Sequence, residues 1–269
     1  MNNATLYNQC NVQQTTSASK HLEEFMHKIE WKKDSRVLDI GCGDGSVTNN
    51  VLKKSVPNCK KVTGCDINKD MIDFAKEHFA SEDVDFIVLD ISSELPDYLR
   101  GQFHHAFSFY VMHWVQNQQY AFKNIYDMLK IGGDCLIAFV AQATIFDAYK
   151  ILAQNNRWRE WIHGVERFIS PYHEARDPID KLRQIVLKAG FSKTEIQYRR
   201  SPYKYATSEL FRGGIRAIIP FAIPEEHFED FLDDLFDVMQ QVDIEKYNNE
   251  KSTPEFVHNF SLFLLYMKK

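Results

Sequence analysis

The sequence predicts an α/β fold, a largely parallel sheet with helices on both faces. Three observations carry that prediction. Five short apolar runs, near 36–40, 61–67, 84–91, 104–111 and 134–140, are separated by stretches that are mostly long enough for a helix. The first run leads into three glycines at alternate positions, Gly41, Gly43 and Gly45, ahead of a helix-like segment. The first three runs each carry an acid at or near the carboxyl end, Asp39, Asp66 and Asp90.

The chain opens on residues 1–16, polar and rich in Asn, Gln and Thr. Such an arm reads either as a frayed terminus or as a lid over a ligand mouth, with Gln14 the best-placed amide. Residues 17–31 then carry Leu22, Phe25, Met26 and Ile29 at helical spacing. Residues 36–48, RVLDIGCGDGSVT, read as strand, tight turn and helix N-terminus. Glycine lacks a Cβ, so a ligand can come against the backbone of Gly41, Cys42 and Gly43. Asp39 is costly in a buried parallel strand unless a polar partner meets it. The helix near 47–54 stops before Pro57. The second strand, 61–67, ends in Asp66-Ile67, and a helix over 69–79 turns Met71, Ile72 and Ala75 inward. The third strand, 84–91, ends in Asp90-Ile91, with a loop or short helix at 95–99. The fourth strand, 104–111, contains Ser108 and leads to His113-Trp114. A helix over 117–129 has Tyr120, Ala121, Ile125, Met128 and Leu129 on one face. Gly132-Gly133 makes a turn into the fifth strand, 134–140.

The texture changes after Thr144. Residues 146–161 read as helical and aromatic, with Trp158 and Trp161 close together, and 168–177 as a loop. Asp177-Pro178 supplies an N-cap and first helical residue, and Gly190 ends that helix. A sixth strand falls at 194–199, and helices at 207–219 and 224–244. Pro224 opens the last helix, with Glu225 and Glu226 complementing its dipole. Its apolar stripe runs from Phe228 to Val242, and its acidic face is expected to be solvated surface. Residues 256–267 close the chain as an antiparallel seventh strand. The helices between the last two strands are expected to cap a crevice and build an apolar pocket. This divides the chain into an arm and helix (1–31), a ligand-binding core (32–142) and a cap that completes the sheet (143–269).

In open parallel sheets, ligands sit off the carboxyl ends of the strands, beside the first one. That gathers Asp39, Gly41, Asp66, Asp90, Ser108 and Trp114 around one crevice. The spacing is GxGxG, not the GxGxxG of a pyrophosphate site. An acid two residues before the first glycine suits an amine or a sulfonium better than a phosphate, and S-adenosylmethionine carries both. Asp66 is placed to accept from ribose hydroxyls, a role that serves NAD equally. Asp90 and the Ile91 N–H suit an adenine edge. A dinucleotide oxidoreductase on the same sheet, and a turn with no ligand, stay open on the glycines alone. Trp114 either walls the site or packs under the next helix. His113 either orients an anionic substrate or bonds within the protein.

Composition excludes other classes. The 269 residues carry a formal net charge of −5, which gives no basic field for nucleic acid. The five cysteines are odd in number and form no CxxC, which argues for reduced thiols in the cytoplasm over a disulfide or zinc framework. MNNATLYNQC has neither a basic nor an apolar leader region, so no signal peptide is expected. No apolar run approaches the ~18–20 residues of a membrane span. No clustered His, Asp and Glu set suggests a metal.

The order of these motifs resembles that of the class I S-adenosylmethionine methyltransferases. Over essentially its full length the chain is similar to the insect juvenile hormone acid O-methyltransferases. The likeness rests on MNNATLY, WKK, GCDI, VLDI, FSFYVMHW, GGDCL, RFISPYH and FAIPEEHFEDFLDD. It implies a Rossmann-like seven-stranded sheet with a helical cap. It also implies methyl transfer from S-adenosylmethionine to the carboxylate of a sesquiterpenoid acid, juvenile hormone acid or farnesoic acid, leaving S-adenosylhomocysteine. Gln14 and Trp114 are implied at the substrate and cofactor site. A homodimer is compatible with this reading, and so is a methyltransferase-like binder with little turnover.

Overall fold

The computed structural model describes residues 4–247 and 256–269. Residues 1–3 and 248–255 lie outside it. The five expected parallel strands are present: β1 (Ser35–Ile40), β2 (Cys59–Asp66), β3 (Val84–Val88), β4 (Phe103–Phe109) and β5 (Leu129–Ala143). With β6 (Lys193–Arg200), β7 (Tyr203–Lys204), β8 (Val257–His258) and β9 (Phe260–Lys268), they form two sheets. The large sheet has seven strands in the order β3-β2-β1-β4-β5-β9-β6. The last strand inserts between β5 and β6, antiparallel to both. Its run of Leu262 to Leu265 is buried because both neighbours and both faces are covered. β7 and β8 pair as a small ribbon at the entry to β9.

Successive residues of a strand point to opposite faces, and here both faces are packed. Val37, Leu136, Ala138 and Val140 join one apolar cluster, and Leu38, Cys135, Ile137 and Phe139 the other. Helices α2 (Val12–Phe25), α6 (Thr144–Leu152) and α9 (Glu225–Tyr247) supply the first cluster; α5 (Gln118–Met128) and α7 (Pro178–Ala189) supply the second. The cap signals of α7 are realised: Asp177 accepts from the Asp180 N–H, and Gly190 takes φ 110.

Several expectations need correction. The polar arm is helical, as α1 (Ala4–Cys10), and α2 begins at Val12 and ends at Phe25, short of Trp31. β3 stops at Val88, because the Asp90 side chain turns the chain by accepting from the Ser92 N–H and hydroxyl. β4 stops at Phe109, where Tyr110 adopts φ 62. β5 is much longer than 134–140 and starts before the two glycines. The helix after Thr144 ends at Leu152; Asn155 then caps a turn by accepting from Arg157, and Trp158 donates to Asp234 at 2.6 Å. A π turn, Thr48–Leu52, precedes α3 (Lys53–Ser55). The second helix, α4 (Lys69–Phe79), lies as expected.

The acidic face of α9 is not simply solvated. Glu225 and Glu229 meet Arg216, and Glu229 and Asp233 meet Arg212, both arginines on α8 (Ser208–Ile218). Asp230 and Asp234 meet Arg157. Each exposed pair contributes little, roughly 0–1 kcal/mol, but the set fixes how α8 and α9 sit together.

Candidate active site

The crevice is built where β1 turns into the π turn. The Gly41 and Cys42 N–H groups both donate to the Cys65 carbonyl, at 2.7 and 3.0 Å, which folds the loop back onto β2. Gly41 sits at φ +70, and a Cβ there would lie 2.1 Å from Val111 Cγ2. No other residue fits. Gly43, at φ +54, faces the Tyr7 ring, whose Cε1 would lie 3.7 Å from an added Cβ.

Three carboxylates converge on this loop. Asp66 accepts from the Gly43 N–H and the Asn68 N–H, each at 2.9 Å. Burial nevertheless raises its pKa, against the pull of those N–H groups. Asp39, 2% exposed, finds the polar partner its position requires in Thr48, whose hydroxyl donates at 2.6 Å. Burial pushes Asp39 up to about 7, and the charges of Asp66 and Asp44 add to that. Asp44, between the second and third glycines, accepts from Asn8 at 2.6 Å, from Asn11 at 3.2 Å and from the Ser46 hydroxyl at 2.7 Å. α1 and the start of α2 are thereby fastened across the loop. Tyr7 lies over the three acids, and burial together with their charge raises its phenol pKa.

The remaining predicted residues fall into four groups. Ile67 stands at the lip, 66% exposed, beside Asp66. Asp90 and Ile91 follow β3; Asp90 bonds Ser92, and the Ile91 carbonyl accepts from Asn124 at 2.9 Å. Ser108 is fully buried and its hydroxyl donates to the Ile40 carbonyl at 3.0 Å, so that group is spent on joining β4 to β1. Gln14, His113 and Trp114 line a second space with Tyr7 and Tyr110, a cleft of about 550 Å³ including its open mouth. Its walls are mainly apolar, with Val140, Ile145, Phe146 and Ile218 among them. Tyr7 faces both the acids and this cleft, so the two spaces meet at its ring.

Sequence reasoning passed over Tyr7, Asn11, Asp44, Tyr149 and His258. Tyr149 was legible as the i+4 neighbour of Ile145, on the same helical face. His258-Asn259 stands as a polar break between Val257 and Phe260. The others depend on contacts between distant segments and carry no local signal.

A methyltransferase-domain family profile matches residues 37–133. Juvenile hormone acid O-methyltransferase of Bombyx mori is 39% identical over all of this chain and 98% of its own length. The chain belongs to the juvenile hormone acid O-methyltransferase family. The Drosophila melanogaster protein of that name is 35% identical over 100% of this chain and 93% of its own. Among solved structures, the YcgJ protein of Bacillus subtilis superposes with a TM-score of 0.61 at 18% identity, over 93% of this chain and 98% of that one. That likeness shows the fold, a class I methyltransferase sheet. The cofactor of the family is S-adenosylmethionine, and the crevice suits it: a backbone turn with no room for a side chain at Gly41, and a buried acid lifted to about 7 that a cation would relieve. Among the described residues no three His, Cys, Asp or Glu side chains are grouped to hold a metal ion, and no helix is long and apolar enough to cross a membrane.

Proposed function

We propose that the protein is a carboxyl O-methyltransferase that converts juvenile hormone acid, farnesoic acid or both to the methyl ester. One observation carries this reading: an apolar cleft with a few polar groups opens against a crevice of acids, with Tyr7, Gln14 and Trp114 near the junction. S-adenosylmethionine, when bound, supplies an electrophilic methyl group. Asp39 and Asp66 offer negative charge to its cationic and hydroxyl groups. Asp90 and the Ile91 N–H offer an edge for the adenine, and Gly41, Cys42 and Gly43 a bare backbone.

The substrate needs no strong base. A carboxylic acid of pKa ~4–5 is already ionised at pH 7. The protein's work is therefore to hold a carboxylate oxygen in line with the methyl. Such positioning supplies up to ~7–11 kcal/mol in favourable cases. Gln14, His113 and Trp114 orient the anion, and the apolar walls exclude water, which strengthens each electrostatic contact inside. The five cysteines are free thiols, and a cytoplasmic location is part of this proposal.

The test is transfer of label from the methyl of S-adenosylmethionine to farnesoic acid and to juvenile hormone acid. Labelled methyl ester is expected. Gln14→Ala and Trp114→Ala should lower the rate at least tenfold with unchanged circular dichroism. Absence of labelled ester from both acids overturns the reading, and full activity in both variants removes them from the site.

A further inference from the structure

The apolar cleft contains more unpartnered polar groups than a lipid-like chain requires. Neither ring nitrogen of His258 has a partner, and the Tyr149 hydroxyl, His113 Nδ1 and Gln14 Oε1 have none either. His258, His113 and Tyr149 are 4%, 5% and 0% exposed. Buried polar atoms are nearly always paired. Three such side chains in one cleft point to a partner that arrives with the ligand.

Their positions in the fold bring distant segments to one cleft. His258 ends β8, just before β9, and Tyr149 lies in α6, just after β5. The strand order sets β1 and its glycine loop on one side of β4, and β5 and β9 on the other. His258 lies near enough to His113 to lower its pKa, and the His113 and Trp114 rings are 4.7 Å apart, so these polar groups gather on the side of the cleft where Trp114 stands. We propose that His258 and Tyr149 bind the substrate's carboxylate through the oxygen that is not methylated, with His113 beside them. This rests on the carboxyl-transfer reading above. The two imidazoles and the phenol are uncharged donors: burial holds His113 at about 3 and His258 at about 4, with the nearby His258 lowering His113 further, and raises the Tyr149 phenol. A neutral N–H or O–H fixes the anion without giving it a proton, so the opposite oxygen keeps its electron pairs for the methyl carbon. Methylation removes the negative charge, which weakens these charge-assisted bonds and favours release of the ester.

The experiment is calorimetry of farnesoic acid and of methyl farnesoate on the enzyme saturated with S-adenosylhomocysteine. It is run on the wild type, His258→Leu, His258→Asn and Tyr149→Phe. The wild type should bind the acid more tightly than the ester. His258→Leu should lose at least tenfold of that preference, and Tyr149→Phe severalfold. His258→Asn, which keeps an N–H donor, should retain most of it. Affinity for S-adenosylhomocysteine should not move. An unchanged acid-over-ester ratio in both His258→Leu and Tyr149→Phe overturns the proposal. If His258→Leu does not fold, the isosteric Tyr149→Phe decides alone. Because the ratio is read without turnover, a wild type that binds acids but methylates none would sink the transfer reading while leaving this assignment testable.

Discussion

Asp39 shows how one buried side chain links folding, pH and ligand binding. Its carboxyl moves from an ordinary 3.8 to about 7, chiefly through burial. The folded protein thus keeps a proton that the unfolded chain releases above pH ~4. Stability from that proton is complete below 3.8 and is lost as pH rises through about 7. A cationic ligand reverses the preference, because it favours the ionised form. Affinity for S-adenosylmethionine should therefore rise between pH 6 and 7 and flatten above, with a proton released on binding. Titration calorimetry in buffers of different ionisation enthalpy reads both. Asp39→Asn should remove the pH slope. Asp39→Ala should weaken binding tenfold or more, since a hydrogen bond to a charged group contributes about 1.5–3 kcal/mol. Unchanged affinity in Asp39→Ala would remove this residue from the site. The acid was legible because Asp is expensive inside an apolar run. The fate of Ser108 was not, because a hydroxyl in a strand can face a neighbouring carbonyl or a ligand with the same local sequence.

At the scale of elements, the N-terminal arm is where sequence and structure part. α1 buries none of its residues fully, so it shows no apolar stripe for a periodicity argument to find. It is held by amides instead: Asn8 and Asn11 on Asp44, and Asn11 also on Ser46 at 2.8 Å. Gln13, two residues further, accepts from the Tyr205 hydroxyl at 2.6 Å, which ties the arm to the segment leading into α8. Asn11→Ala removes two bonds to the glycine loop and leaves the helix itself intact. It should raise the dissociation rate of S-adenosylhomocysteine severalfold, with little change in melting temperature, as stopped-flow and calorimetry would read. An unchanged dissociation rate would mean that the arm does not retain the cofactor. α7, by contrast, was legible to the residue, since its N-cap, its proline and its terminal glycine are all local signals. Strand lengths fell between these extremes. β3 and β4 end where Asp90 turns the chain and where Tyr110 takes a positive φ, neither of which is an apolar-pattern event.

Across the whole molecule, the two ends of the sheet divide the work. Toward the amino ends of β1 and β4, and in the first half of β5, Ser35, His105 and Asp134 are all buried, with His105 Nδ1 2.7 Å from Asp134. The spacing looks like a nucleophilic triad, but Ser35 donates to the Lys32 carbonyl at 2.6 Å and is sealed from solvent. This network belongs to stability, and the chemistry lies at the carboxyl ends. There the helices added after β6 give the apolar wall its last side, through Ile218 of α8. If that wall selects the substrate, selection follows apolar surface. Each buried methylene contributes ~0.8 kcal/mol, about fourfold in kcat/KM. Three more methylenes should then raise kcat/KM about sixtyfold, until the cleft is filled. The expected curve across a series of carboxylic acids climbs with chain length and levels off at sesquiterpenoid size. The climb should appear mainly in KM if the wall binds ground and transition states alike, and partly in kcat if a bound chain is needed to seat the carboxylate. Equal kcat/KM for acetate and farnesoate would mean that the apolar wall does not select the substrate.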